Sequence, residues 1–271
     1  MKKIKSNPSR TELKRVLFAC LREAGSLLGK SIHKIKKINY KSEANLVTHY
    51  DKMLEKMILT RIKKAFPDHA ILAEESAPHG TSPYKWIIDP LDGTTNFAHT
   101  FPVSCVSIAV EKEGEVILGG VFDPFRNELF FGEKNGGAFL NGKKIRVSRT
   151  PCLKESLLCT GFPYDRRIHA ETYLRLFGAF MIGTHGIRRT GSAAIDICYV
   201  ACGRFDGFWE LKLNAWDTAA ASLICQEAGG KVSNFKGRGY SIYEPEALAS
   251  NGLIHPEMVK ILVRNYLRPK P

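Results

Sequence analysis

Trp86-Ile87-Ile88-Asp89-Pro90-Leu91-Asp92-Gly93-Thr94-Thr95-Asn96-Phe97 is the stretch on which the reading of this chain turns. An apolar run of strand character delivers Asp89 at its end, and Pro90 bars helical continuation and stiffens the turn that presents Asp92. Two hard carboxylates then share one small volume. Like charges so close repel unless cations intervene, and the ions that suit them are of the Mg²⁺ type, with oxygen ligands. Gly93 removes a side chain where a ligand would approach the backbone, and the residues after it can open a helix whose free N–H groups attract an anion. A D-x-x-D pair alone is more often a cap or a solvated loop than a site. Two other segments support the whole string as a site: Glu74-Glu75 directly after a predicted strand, and Asp217 at the start of a small-residue helix, Ala215-Trp216-Asp217-Thr218-Ala219-Ala220.

Working outward, Ser9-Arg10-Thr11-Glu12 reads as a capping box. Apolar residues at helical spacing from Leu13 to Leu28 predict a first amphipathic helix ending at Gly29. A second is predicted from Asp51, whose carboxylate can cap it, to Pro67, so that two helices precede any strand pattern. From Ala70 the period shortens. Runs at 71–73, 86–88, 103–110, 116–122, 128–131 and 145–147, with turn dipeptides such as Asn135-Gly136 and Asn141-Gly142, predict a mostly antiparallel meander. After about residue 150 strands alternate with helices: strands at 156–160, 186–190, 206–210, 231–233 and 247–250, helices at 169–180, 192–202, 216–228 and 256–266. The predicted fold class is thus α+β joined to α/β, with an antiparallel-sheet half (1–150) carrying the acidic loop and an α/β half (151–271) completing the site.

At these residues the chain resembles the inositol monophosphatase family, within the Mg²⁺-dependent, Li⁺-sensitive sugar- and nucleotide-phosphate phosphatases. The resemblance rests on AEES (73–76), WIIDPLDGTTNF (86–97) and NAWDTAAA (214–221), in the family's order. It extends more faintly from Lys41-Ser42 and Leu46–Asp51 through Gly186–Ala194 to Glu227-Ala228-Gly229-Gly230, covering roughly residues 40–255. One departure is Ala73, where the family commonly has Gly; no metal-binding group is lost. The resemblance implies a layered αβαβα fold, a homodimer and two or three Mg²⁺ ions. It also implies that Glu74, Asp89 and the Leu91 carbonyl hold a first ion, Asp89, Asp92 and Asp217 a second, and Glu74 with waters a third. Glu74 and Thr94 would orient the attacking water, and the backbone N–H groups of Gly93 and Thr94 would hold the phosphate. Glu210 would contact a substrate hydroxyl, and Gly191, Ser192 and Ala193 would line the pocket. Arg188 and Arg189 can bind or steer a phosphate, or form structural ion pairs.

The chemistry asks for the same parts. A phosphate monoester dianion repels hydroxide and has a poor leaving group, so its charge must be neutralised and both apical oxygens stabilised. Two metal ions do both, with water attacking directly. No covalent nucleophile is evident: the seven cysteines mostly sit in apolar segments and no nucleophile elbow is present. Cys198 and Cys202, four apart, lack further ligand candidates for a metal. Because the expected ligands are all oxygen, His49, His99 and His185 read as structural, and Glu75, if its segment is extended, points away from Glu74. Asp123-Pro124 lacks a second carboxylate and reads as a turn. Thr94-Thr95-Asn96-Phe97 looks like the inositol branch. The alternatives are fructose 1,6-bisphosphate, histidinol phosphate, NADP and 3′-phosphoadenosine nucleotides.

The 271 residues can bury a full core, and 44% hydrophobic with 25% charged composition excludes wholesale disorder. No apolar run approaches a membrane span and no secretory h-region follows the basic start, so a cytoplasmic protein without a membrane partner is expected. The net charge of +13 is concentrated: residues 1–41 hold twelve Lys/Arg and two Asp/Glu. That segment is either a solvated basic face or an arm contacting RNA or an acidic protein, and it holds only Phe18 and Tyr40 as aromatics for base stacking.

Overall fold

A computed structural model of the chain describes residues 8–34, 38–40 and 46–266. The basic positions 1–7 and the Lys41-Ser42 pair lie outside the described residues. Ser9 caps α1 (Arg10–Ser31) as its sequence predicts: its hydroxyl accepts from Glu12 N–H at 3.2 Å, while the Glu12 carboxylate accepts from Ser9 N–H at 2.8 Å. The helix continues past the expected stop at Gly29. That glycine serves close packing, since a Cβ there would lie 3.1 Å from Pro124 Cβ.

A short hairpin, β1 (Ile38–Tyr40) with β2 (Leu46–Thr48), precedes α2 (His49–Ala65), where the sequence reading has no strand. Three-residue strands are too short to show alternation. Thr48, rather than Asp51, is the N-cap of α2. Asp51 closes the capping box from the third helical position, its Oδ2 accepting from Thr48 N–H at 2.7 Å and Thr48 Oγ1 at 2.6 Å.

The first sheet runs in order through β3 (Ala70–Ala73), β4 (Tyr84–Asp92), β5 (Cys105–Lys112), β6 (Glu115–Asp123), β7 (Glu128–Glu133), β8 (Gly137–Leu140) and β9 (Lys143–Lys144). β3 is parallel to β4 and every other pair is antiparallel. Asn135, Asn141 and Gly142 take left-handed backbone at the turns flanking β8, a strand the sequence reading lacks. The expected strand at 145–147 is absent; the chain leaves the sheet after Lys144, and Ile145 and Val147 pack on the core between the layers.

Between β4 and β5 lies the single-turn helix α3 (Thr94–Ala98). The second sheet, in order β11-β10-β12-β14-β13, combines β10 (Leu157–Thr160), β11 (Gly186–Arg188), β12 (Gly207–Leu211), β13 (Lys231–Ser233) and β14 (Glu246–Ser250). Its helices are α4 (Arg166–Met181), α5 (Ala193–Ala201), α6 (Ala215–Glu227) and α7 (His255–Tyr266). α1 and α2 cover the outer face of the first sheet, α5 and α6 fill the space between the sheets, and α4 and α7 cover the second. The result is the layered αβαβα sandwich. α6 approaches the first sheet at backbone distance: a Cβ on Gly119 would lie 2.6 Å from Ala220 O. Small residues on both sides allow that approach, and it brings the N-terminus of α6, with Asp217, toward the end of β4.

Candidate active site

The ladder between β4 and β5 slips between Asp89 and Asp92, so Asp89 faces Ser107 and Asp92 faces Cys105. Pro90 has no N–H for the ladder, and the irregularity re-aims the strand end. Asp89 is 2% exposed, and its Oδ1 accepts from Leu91 N–H at 2.9 Å. Gly93 has φ +88°, and a Cβ there would lie 2.8 Å from Val103 O; Ser104 Oγ donates to Gly93 O at 3.0 Å. Asp92 Oδ2 accepts from Ser192 Oγ at 2.6 Å and from Ala194 N–H at 2.8 Å, tying the loop to the start of α5. Asp217, third residue of α6, accepts from Asn214 N–H at 2.6 Å through Oδ2. Glu74 follows β3, its N–H donating to Ile88 O at 3.2 Å.

These four acids line one cavity of about 330 Å³. Burial lifts the Asp89 carboxyl well above the usual carboxylate range, and the charges of Glu74, Asp92 and Asp217 push it further. Burial also raises Asp92, against the opposing hydrogen bonds from Ser192 and Ala194. Asp217 is pushed up to about 8, by burial first and then by Asp92 and Glu74, the bonds from Asn214 opposing. Such a set is satisfied either by protons or by cations. Its all-oxygen donors fit a hard divalent ion. Among the described residues no group of three His, Cys, Asp or Glu side chains is drawn close enough together to hold an ion as it stands. Carboxylates spread along a cavity wall still suit Mg²⁺, which keeps several of its waters.

Thr94 is 7% exposed, and its Oγ1 lies 3.0 Å from both Asp51 Oδ1 and Leu91 O. Asp51, read from sequence as a helix cap alone, therefore also receives the Thr94 hydroxyl. The opposite wall comes from the second sheet. Glu210 on β12 faces Gly161 so closely that a Cβ there would lie 2.1 Å from Oε2. Its carboxyl is raised well above the ordinary value by burial, then by Asp196 and Asp217, with Arg189 opposing. Gly191, Ser192 and Ala193 line the same cavity.

Arg188 does not: it is exposed at the end of β11, and its Nη1 donates to Ile187 O at 3.2 Å. The next residue lies on the other side of the extended chain, so Arg189 reaches the cavity in its place. Glu75 likewise departs from Glu74. Its N–H donates to Glu55 Oε2 at 2.8 Å, and it sits beside Lys52 and Lys56 rather than in the cavity. His49, His99 and His185 are not among the lining residues. Sequence reading missed Asp196, Tyr164 and Lys212, which line the cavity without a local motif to mark them.

An acidic cavity where strand ends of the two sheets meet in an αβαβα sandwich suits a phosphatase. The chain belongs to the inositol monophosphatase family, whose pattern matches residues 9–266. It is 48% identical over 235 residues to a Synechocystis sp. protein named inositol-1-monophosphatase, covering 84% of this chain and 81% of that one. To the Escherichia coli protein named Nus factor SuhB it is 41% identical over 248 residues, 90% of this chain and 91% of that one. The solved inositol monophosphatase of Anabaena (Nostoc) sp. superposes with a TM-score of 0.85 at 40% identity, covering 93% of this chain and 95% of that one.

Proposed function

We propose that the chain hydrolyses a phosphate monoester of a small polyol, inositol 1-phosphate before the other sugar and nucleotide phosphates, using Mg²⁺. The observation that carries this reading is the convergence of Glu74, Asp89, Asp92 and Asp217 on one cavity beside the Asp51–Thr94 hydrogen bond. Glu74, Asp89 and the Leu91 carbonyl would hold one ion, Asp89, Asp92 and Asp217 a second, and Glu74 a third. When bound, the ions neutralise the phosphate dianion and acidify a water.

The remaining work belongs to the chain. Thr94 donates a hydrogen bond to Asp51 or to Leu91 O, which leaves its oxygen lone pairs free to accept a hydrogen bond from the attacking water and hold it in line. Glu74 orients that water from the other side. The N–H groups of Gly93 and Thr94 receive phosphate oxygens, Glu210 meets a hydroxyl of the polyol, and Gly191, Ser192 and Ala193 shape the wall. We place the protein in the cytoplasm as a homodimer, on the strength of the family membership; among the described residues no helix is long and apolar enough to cross a membrane.

Phosphate release with and without Mg²⁺ on inositol 1-phosphate, fructose 1,6-bisphosphate, histidinol phosphate, NADP and 3′-phosphoadenosine 5′-phosphate tests the reading, with Asp89→Asn as the blank. Metal-dependent turnover favouring one compound supports it and names the substrate. Silence on all five from folded protein removes it. A second reading is supported by the basic N-terminal segment and the relatives named Nus factor: a binding role toward RNA or a protein. Binding that falls steeply with salt and disappears on deleting residues 1–10 would favour it.

A further inference from the structure

The outward faces of α1 and α2 enclose a trough separate from the acidic cavity. Contacts between the helices advance in one direction along both: Cys20 Sγ approaches Ile58 O at 4.0 Å, and Arg61 Nε donates to Glu23 at 2.9 Å. The trough between them holds about 860 Å³, with Ala19, Met53 and Met57 along its floor and Arg15, Lys56 and Lys64 on its edges. Two smaller depressions, of about 390 and 480 Å³, adjoin it, sharing Lys56 and Met57 respectively.

Charge on this face is mostly basic: the one acid on the trough's lining, Glu23 of α1, is paired with Arg61, and α2 adds no exposed acid. The acids of α2, Asp51 and Glu55, are buried at 0% and 4% and turned inward, Asp51 onto Thr48 and Thr94 and Glu55 onto the Glu75 N–H. The five cations of α2, at 52, 56, 61, 63 and 64, all remain exposed. Met53, 39% exposed, lies among them, an adaptable apolar side chain at a surface otherwise made for anions. A nucleic acid would find no aromatic ring on the lining to stack against and would leave the apolar floor uncovered. A helix with an apolar stripe and acidic flanks covers both features.

We propose that this trough docks an acidic amphipathic helix of a partner protein, its apolar stripe on Met53 and Met57 and its carboxylates toward Lys56 and Lys64. Positions 53 to 65 of α2 span about 18 Å at the rise of an α-helix, which suits a partner of about three turns. This surface owes nothing to phosphate chemistry, so the two readings stand or fall separately.

The test uses the full chain and a fluorescein-labelled peptide of about three turns or more, Glu-rich with Leu at i, i+3, i+4 and i+7, read by anisotropy at near-physiological salt. A scrambled isomer of equal composition and a mixed-sequence RNA oligonucleotide are the comparisons. The amphipathic peptide is expected to bind about tenfold tighter than its scrambled isomer, and the double variants Lys56→Glu/Lys64→Glu and Met53→Ser/Met57→Ser each to weaken it about tenfold. The lysine variant should keep the parent's melting temperature, the methionine variant should melt lower because Met57 is half-buried against the core, and both should stay folded at the assay temperature with the parent's phosphatase turnover. Equal binding of the two peptides, tighter binding of the RNA, no binding at all, or indifference to both variants in folded protein would each overturn the proposal.

Discussion

Replacing Asp51 by Asn separates the two tasks of one carboxylate. Asp51 is fully buried; Oδ2 accepts from the N–H and hydroxyl of Thr48, and Oδ1 from the Thr94 hydroxyl at 3.0 Å. An amide can keep its oxygen toward Thr48, so the cap survives with neutral in place of charge-assisted bonds, a loss of about 1–2 kcal/mol. Its NH₂ then faces Thr94 and donates where the carboxylate accepted. The Thr94 oxygen loses a lone pair to that bond and can no longer accept freely from a water. A general acid–base or positioning loss of this kind is about 100-fold in kcat, or about 2.7 kcal/mol of barrier, with KM little changed. Urea unfolding and steady-state phosphate release measure the two effects separately. Because Asp51 acts through Thr94, Thr94→Ala should lower kcat more than it raises KM, and the double variant Asp51→Asn/Thr94→Ala should be no slower than Thr94→Ala alone. Rate losses that multiply would refute the reasoning, as would an Asp51→Asn protein that is less stable but turns over normally.

Asp89→Asn should fold and lose turnover by orders of magnitude, since it removes a charge set among three other acids; near-native activity at saturating Mg²⁺ would show the ligand assignment to be wrong. Gly93→Ala is expected to cost about 1–2 kcal/mol from its left-handed backbone alone, and more from the contact with Val103 O, seen as a lower urea midpoint together with reduced activity. His255 is 1% exposed between Ser233 and Ser250, at 2.9 and 2.8 Å, and burial depresses its pKa to about 4. The unfolded chain therefore binds a proton that the folded one refuses. His255 thus contributes stability that is present above pH 6.5 and falls away as the pH drops toward 4, by roughly 3 kcal/mol in all. Unfolding curves of His255→Gln across that window should show a shallower acid limb than the parent; parallel limbs would remove the histidine as the cause.

The motif that mattered most was legible because its physics is local. A strand that ends in Asp, a Pro that stops the ladder and a Gly in the turn announce themselves within eight residues, and the Ser9 box does so within four. Where signals were shorter the reading slipped. The hairpin of β1 and β2 is too brief for alternation, and Gly29 is occupied with Pro124 rather than with ending a helix. Arg188 and Arg189 are adjacent and chemically alike in sequence. Only the direction in which β11 leaves its sheet puts Arg189, not Arg188, in the cavity.

By itself the sequence determined the order of the helices and of the longer strands and the acids at three of their ends, because helix caps, strand periods and turn residues act over a few positions. Tertiary structure alone decided that those ends meet. Asp92 is held by Ser192 and Ala194, a hundred residues away in the chain, because α5 and α6 pack between two sheets through small residues that no local period encodes, and Asp51 meets Thr94 because α2 packs over β4 on the sheet's outer face. It also decided which face of α2 turned its acids inward, leaving a basic trough that composition reports only as excess charge.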